Sequence, residues 1–189
     1  MFDPENLPPV SCLKQAPLNK NRADKFILTL NIPLLLRKKL IDLYKDRSIF
    51  DKIQVNLLDA PLPTISVPSQ QVPQYGQVYN VSTHCRPKYD DLSINFFIDT
   101  QFINYWIFAC WLDLLNGTDT SLGNLTSDTS TIFVLSCLDE YNSKIVDIEY
   151  TDVCIVSLGG LAFDYANPAQ LKGNAKFVFN KMYFKYPQI

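Results

Sequence analysis

Glycine is scarce and histidine nearly absent: six glycines and one histidine in 189 residues. No GxxxxGK phosphate loop occurs, and there is no serine nucleophile elbow, HExxH pair or calcium loop. A Ser-His or Cys-His catalytic pair would have to use His84. His84 is followed directly by Cys85, and neighbours along a strand point to opposite faces, so the two would not meet. An exposed loop histidine is the plainer expectation. Asp90 and Asp91 form an acidic pair just before a strand. Adjacent carboxylates diverge there and would not share a substrate. No catalytic residue is assigned, and neither a cofactor nor a metal is expected.

The cysteines exclude as much. Cys12, Cys85, Cys110, Cys137 and Cys154 are odd in number and far apart, with no CxxC pair. That spacing fits neither a disulfide framework nor a zinc site. Free thiols in a reducing cytosol, acting as small hydrophobes, are expected. Net charge is close to balance, at −2. A dedicated nucleic-acid binder draws its affinity from phosphate contacts and is usually basic. Tight DNA or RNA binding is therefore not expected, although DNA could pass such a protein without being held. The opening MFDPENLPPV lacks the basic and apolar regions of a signal peptide. The strongest apolar run, Phe102 to Leu115, is broken by Asn104 and Asp113 and falls short of the roughly 18 residues a bilayer span needs. A soluble protein made in a cytoplasm, with no membrane partner, is expected.

What the chain does have is apolar and aromatic. Hydrophobic residues make up 47%, charged residues 19%, and there are 12 Phe, 10 Tyr and 2 Trp. This supports a packed core, and the aromatics fit strands and interfaces. Residues 1–22 carry four prolines and read as an extended arm. Residues 23–189 read as one domain.

Within that domain, KFILTLN (Lys25–Asn31) alternates as a strand. A short amphipathic helix runs from Pro33 to about Asp46, with Leu36, Leu40 and Tyr44 on one face. Ile53–Leu57 alternates again. The Pro-rich stretch from Ala60 to Asp90 reads as a long, bent strand pair that partly projects from the body. LSINFFID (Leu92–Asp99) is the clearest strand. A helix follows to Leu115, capped at Asp99 or Thr100 and ended by Gly117. It is apolar nearly all round and must be covered on more than one side. After a polar loop, Gly117–Ser130, strands are expected at Thr131–Leu138, Lys144–Tyr150, Val153–Ser157, Leu161–Tyr165 and Lys176–Tyr186. A tight turn is expected at Tyr141-Asn142-Ser143.

Several segments, in order, resemble the bacteriophage tail tube protein family. They are the Leu62-Pro63 step, the Tyr75-Gly76 step in a hairpin, the strand opening Tyr89-Asp90-Asp91-Leu92, and the following helix bearing Trp111. NKNRADKFILTL resembles the family's first strand, and Ile148 to Tyr186 its C-terminal half. Three features depart from the pattern: the helix at Pro33–Asp46, the expanded Gly117–Ser130 loop, and the long N-terminal arm. They leave room for a specialised tube-fold protein such as a tube initiator, baseplate hub or neck ring. The type VI secretion tube protein is similar too.

The resemblance implies a mainly β fold, an antiparallel β-barrel or sandwich with a flanking α-helix. It implies rings of copies of the chain, pairing sheets across subunits. It further implies partners among sheath, baseplate, neck or terminator proteins, transient non-specific passage of viral DNA, and a place in the virion tail after assembly in the host bacterial cytoplasm. Val72, Tyr75, Val78 and Tyr79 in the Pro-rich segment, and Trp106 on the apolar helix, are the expected inter-subunit contacts. A small-ligand-binding β-barrel is the competing class; it would carry an apolar interior pocket.

Overall fold

The architecture is that of a computed structural model, which describes residues 22–45, 50, 53–54, 56–83, 85–116, 130–164 and 169–186. The N-terminal arm before Arg22, His84 and the Gly117–Thr129 loop lie outside the described residues.

Strand β1 (Phe26–Leu30) is followed by helix α1 (Leu34–Tyr44). Pro33 stands at its N-cap, and Lys45 closes it in the left-handed region, its N–H donating to the Ile41 carbonyl at 2.8 Å. Leu36 and Leu40 are buried one helical turn apart, which is the i, i+4 stripe that a helix turns to its core. The expected strand at Ile53–Leu57 does not form. Ile53 and Gln54 are helical and Leu57 makes an isolated bridge to Phe96. Ile53 is buried, so its apolar character serves the core from a helical turn rather than from a ladder.

Two small ladders come next. Strand β2 (Ile65–Ser66) pairs with β5 (Lys88–Tyr89). Between them β3 (Ser69–Gln74) and β4 (Gln77–Ser82) form a hairpin. This is the projecting strand pair expected from the proline-rich composition.

The main sheet holds β1, β6 (Leu92–Phe97), β7 (Thr131–Leu138), β8 (Lys144–Leu158), β9 (Lys172–Val178) and β10 (Lys181–Lys185). Its order is β1-β7-β8-β9-β6, and β10 also pairs with β8. All its pairings are antiparallel. Strands β9 and β10 lie along one edge of β8: β10 meets Asp147–Thr151 and β9 meets Cys154–Leu158. The bend between these halves sits at Asp152, whose φ is +54°. Asn180 pins it, donating its N–H to the Thr151 carbonyl at 3.0 Å and its side-chain amide to Asp152 Oδ2 at 3.1 Å. A bulge-like irregularity of this kind turns a flat sheet into a barrel wall.

Lys144–Tyr150 and Val153–Ser157 are therefore one strand, not two. The expected single strand Lys176–Tyr186 is two, broken at the same bend. Leu161–Asp164 is not a strand. The turn at Tyr141-Asn142-Ser143 does form: Asp139 Oδ1 accepts from the N–H groups of Tyr141 and Ser143, both at 2.8 Å, and Asn142 takes φ +63°.

Helix α2 (Ile103–Asn116) packs on β8. It begins later than its expected cap. Asn104, fully buried, donates to the Phe97 carbonyl at 2.7 Å, while its Oδ1 accepts from the N–H groups of Tyr105 and Asp99. One buried amide thus ties the helix start to the end of β6. Within one subunit the sheet covers one side of the helix: Ile107, Phe108, Trp111 and Leu114 are buried, while Trp106 is 37% exposed. Trp111 packs edge-on against Phe133 and tilted against Phe177. Phe133 and Phe177 stand 5.0 Å apart, and Phe108 bridges Phe177 to Phe96. These rings fill the space between helix and sheet. The fold is an antiparallel β-barrel or sandwich with a flanking helix, as expected.

Candidate subunit interface

The hairpin of β3 and β4 is built by its turn. Tyr75 and Gly76 have φ of +51° and +77°, the positive pair that matches the right-handed twist of two joined strands. The register runs from Gln74↔Gln77 to Ser69↔Ser82. Thr83 holds the base, its hydroxyl donating to the Pro68 carbonyl at 2.7 Å. Pro73 lacks an N–H but is tolerated in a two-stranded ribbon whose outer edges are unpaired.

From Val67 to Thr83 there is no charged residue, and every described side chain between Ser69 and Ser82 is exposed. Val72 faces Tyr79 across the ladder, and Val81 follows Tyr79 on that side. Val78 faces Pro73 on the opposite side. Tyr75 stands at the tip, 97% exposed. The four expected contact residues of the hairpin thus divide: Val72 and Tyr79 share one face, Val78 lies on the other, and Tyr75 forms the tip. A long, uncharged, exposed ribbon is an association hazard for a lone subunit. Depletion of charge with retained aromatics is also what the centre of an interface shows.

Trp106 belongs to a separate patch. Phe102, at φ +57°, opens α2 and is half-exposed. Its ring lies 6.4 Å from that of the exposed Phe163. The hydroxyl of Tyr105 donates to the Gly159 carbonyl at 3.2 Å and holds the Gly159–Asp164 loop against the helix. Val81, Phe102 and Phe163 were not among the sequence candidates. Val81 was legible as the next outward residue of its strand; Phe163 lay hidden in a segment read as a strand.

Asp90 and Asp91 are exposed, and the Asp90 N–H donates to the Thr64 carbonyl. Among the described residues no cluster of three or more His, Cys, Asp or Glu side chains could hold a metal, and no helix is long and apolar enough to cross a membrane. Cys85, Cys110, Cys137 and Cys154 are free thiols. Burial pushes the thiols of Cys110, Cys137 and Cys154 above their ordinary range, with Asp113, Asp147 and Asp152 respectively adding to the effect.

No protein-family model matches the chain, and no curated protein matches it. Solved structures do. The chain is similar to the tube-terminating cap of the anti-feeding prophage, with a TM-score of 0.60 at 11% identity, over 95% of this chain and 99% of that one. It is similar to the sheath/tube terminator of the PVC extracellular contractile injection system, with a TM-score of 0.60 at 8% identity, over 90% and 99%. A chain of that system's sheath–tube complex follows, with a TM-score of 0.58 at 7% identity, over 90% and 95%. At these identities the likeness is one of fold: the chain has the tail-tube type of fold.

Proposed function

We propose that this chain is a non-enzymatic structural subunit of a tail or injection tube, at the tube's end, assembling into a ring with copies of itself. The observation that carries this reading is the extent of the fold likeness, which takes in 99% of a tube-terminating cap. The charge-free hairpin supports it, since an exposed ribbon of that kind is best covered by another subunit. Residues 23–189 act as one tube-type unit in this reading. Its further partners are sheath, baseplate, neck or terminator proteins of a phage or phage-like tail. DNA passes through the lumen without being held, in keeping with a net charge of −2.

A small-ligand barrel needs an apolar interior pocket. The rings of Phe96, Phe108, Trp111, Phe133 and Phe177 fill the interior here, which favours the structural role. Light scattering across a concentration series, with antibody labelling of intact particles, tests the proposal. The expected result is a discrete ring-sized species and labelled tail ends. A monomer at every concentration, absent from particles, would overturn it.

A further inference from the structure

On the body of the subunit, a groove of about 400 Å³ opens between β1 with its lead-in residues, the end of β7, and the Leu58–Leu62 segment. Its floor is apolar, made by Phe26, Leu58, Pro61, Leu62, Leu135 and Leu138. Arg22, Lys25 and Asp59 are the charged residues lining it, and each is engaged within the chain. Arg22 makes a two-pronged pair with Asp24 at 2.8 and 2.9 Å. Lys25 Nζ donates to Asn142 Oδ1 at 2.7 Å. Asp59 accepts from the Asn95 N–H and side-chain amide. Arg22 is ion-paired, while Lys25 and Asp59, of opposite sign, are hydrogen-bonded to neutral amides of the chain, and over an apolar floor this lining suits an uncharged occupant.

The chain itself carries such an occupant. Tyr75 is 97% exposed at the tip of a hairpin with no charged residue from Val67 to Thr83. A strand of six residues extends roughly 20 Å, so the tip stands well clear of its base. With Tyr75 so exposed, it does not occupy its own groove. We infer that the Tyr75 tip of one copy seats in the groove of a neighbouring copy, between that copy's first strand and its Leu58–Leu62 segment, a pairing that rests on the ring-forming reading. The volume lies within the roughly 300–1,000 Å³ of sites that enclose a ligand, enough for an aromatic anchor and its flanking residues. Because tip and groove are different surfaces of the same chain, the contact is heterologous. Such contacts propagate head-to-tail into a closed ring or a stack. An aromatic anchor in an apolar pocket is also the usual form of an interface hot spot.

A photoreactive phenylalanine analogue at position 75, in full-length protein mixed from isotopically light and heavy copies, tests the pairing. Crosslinks between copies into residues 22–26, 58–62 or 135–138 are expected. Tyr75→Asp and Leu62→Asp should each weaken assembly at least ~30-fold, the loss typical of a hot spot. Both sites are exposed, so unchanged circular dichroism will confirm folding. Assembled rings whose crosslinks fall elsewhere would overturn the pairing and leave the ring-forming reading intact. A photoreactive probe at position 62 that captures residues 1–21 instead would also overturn it, by making the arm the occupant. Protein that never assembles would overturn both.

Discussion

The ring of Phe96 lies across Gly173, its direct partner on the neighbouring strand: a Cβ placed on the glycine would stand 2.7 Å from Phe96 Cζ. The close approach joins β6 to β9 beneath Phe108, whose ring is 5.1 Å from that of Phe96. Gly173→Ala must therefore displace a fully buried ring, and is expected to cost about 1–3 kcal/mol as overpacking does. Denaturant unfolding measures it. Adding Phe96→Leu should return part of the loss, because the two sites share one space. Simple additivity of the two substitutions would show that the ring is not what meets the new methyl.

The two tryptophans should separate cleanly. Trp111 is buried among Phe133 and Phe177, so Trp111→Ala is expected to cost about 3–5 kcal/mol. Trp106, over a third exposed, should cost clearly less than Trp111 in the free subunit. Thermal unfolding of both variants checks this, and near-equal losses would contradict it.

Tyr150 is fully buried, and its hydroxyl has no hydrogen-bond partner among the described residues. Leaving such a group unsatisfied costs about 1–3 kcal/mol, so Tyr150→Phe should leave stability unchanged or raise it by about 1 kcal/mol. Burial also pushes the phenol's pKa well above its ordinary value. The folded state then keeps the proton while the unfolded chain loses it near pH 10. Stability should hold below that pH and fall above it, by at most about 1.4 kcal/mol per unit. Tyr150→Phe should fall less steeply over the same range. An identical alkaline profile in both proteins would show that the phenol is not the group responsible.

Thiol chemistry should sort by burial. Cys85 is exposed, whereas Cys110, Cys137 and Cys154 are partly buried with raised pKa values. The thiolate is the reactive form, so alkylation at pH 8 should modify Cys85 well before these three. Mass mapping over time reads the order, and early modification of Cys137 or Cys154 would contradict the sheet placement.

Much of this fold was legible as alternation. Strands β1 and β6 bury every second residue, β7 does so as far as Leu135, and the bounds of all three lie within two residues of the sequence reading. Two of the failures, at β8 and at the β9–β10 break, share one cause. At Asp152 the buried residues step from Tyr150 to Val153, a spacing of three, so a continuous strand read as two. On its partner the same bend falls at Phe179 and Asn180 between β9 and β10, where aromatic residues on both sides concealed the break. A bend shared by two strands far apart in sequence is a tertiary feature, and no local period reports it.

The hairpin was legible from prolines and the Tyr75-Gly76 step. The division of its faces was not, because the two-residue turn brings Val72 opposite Tyr79. The groove was invisible, since it joins Phe26, Leu58 and Leu138 from three separate stretches of chain.

Negative-stain micrographs of the purified protein, taken beside a variant shortened between Pro68 and Thr83, test the account most directly. The expected result is rings or short tubes for the intact chain and only folded monomers for the variant. Amides of β3 and β4 should also exchange rapidly in the free subunit and become protected on assembly. Intact protein that shows only monomers would contradict the ring-forming role. Rings from the shortened variant would contradict the placement of the contact in the hairpin.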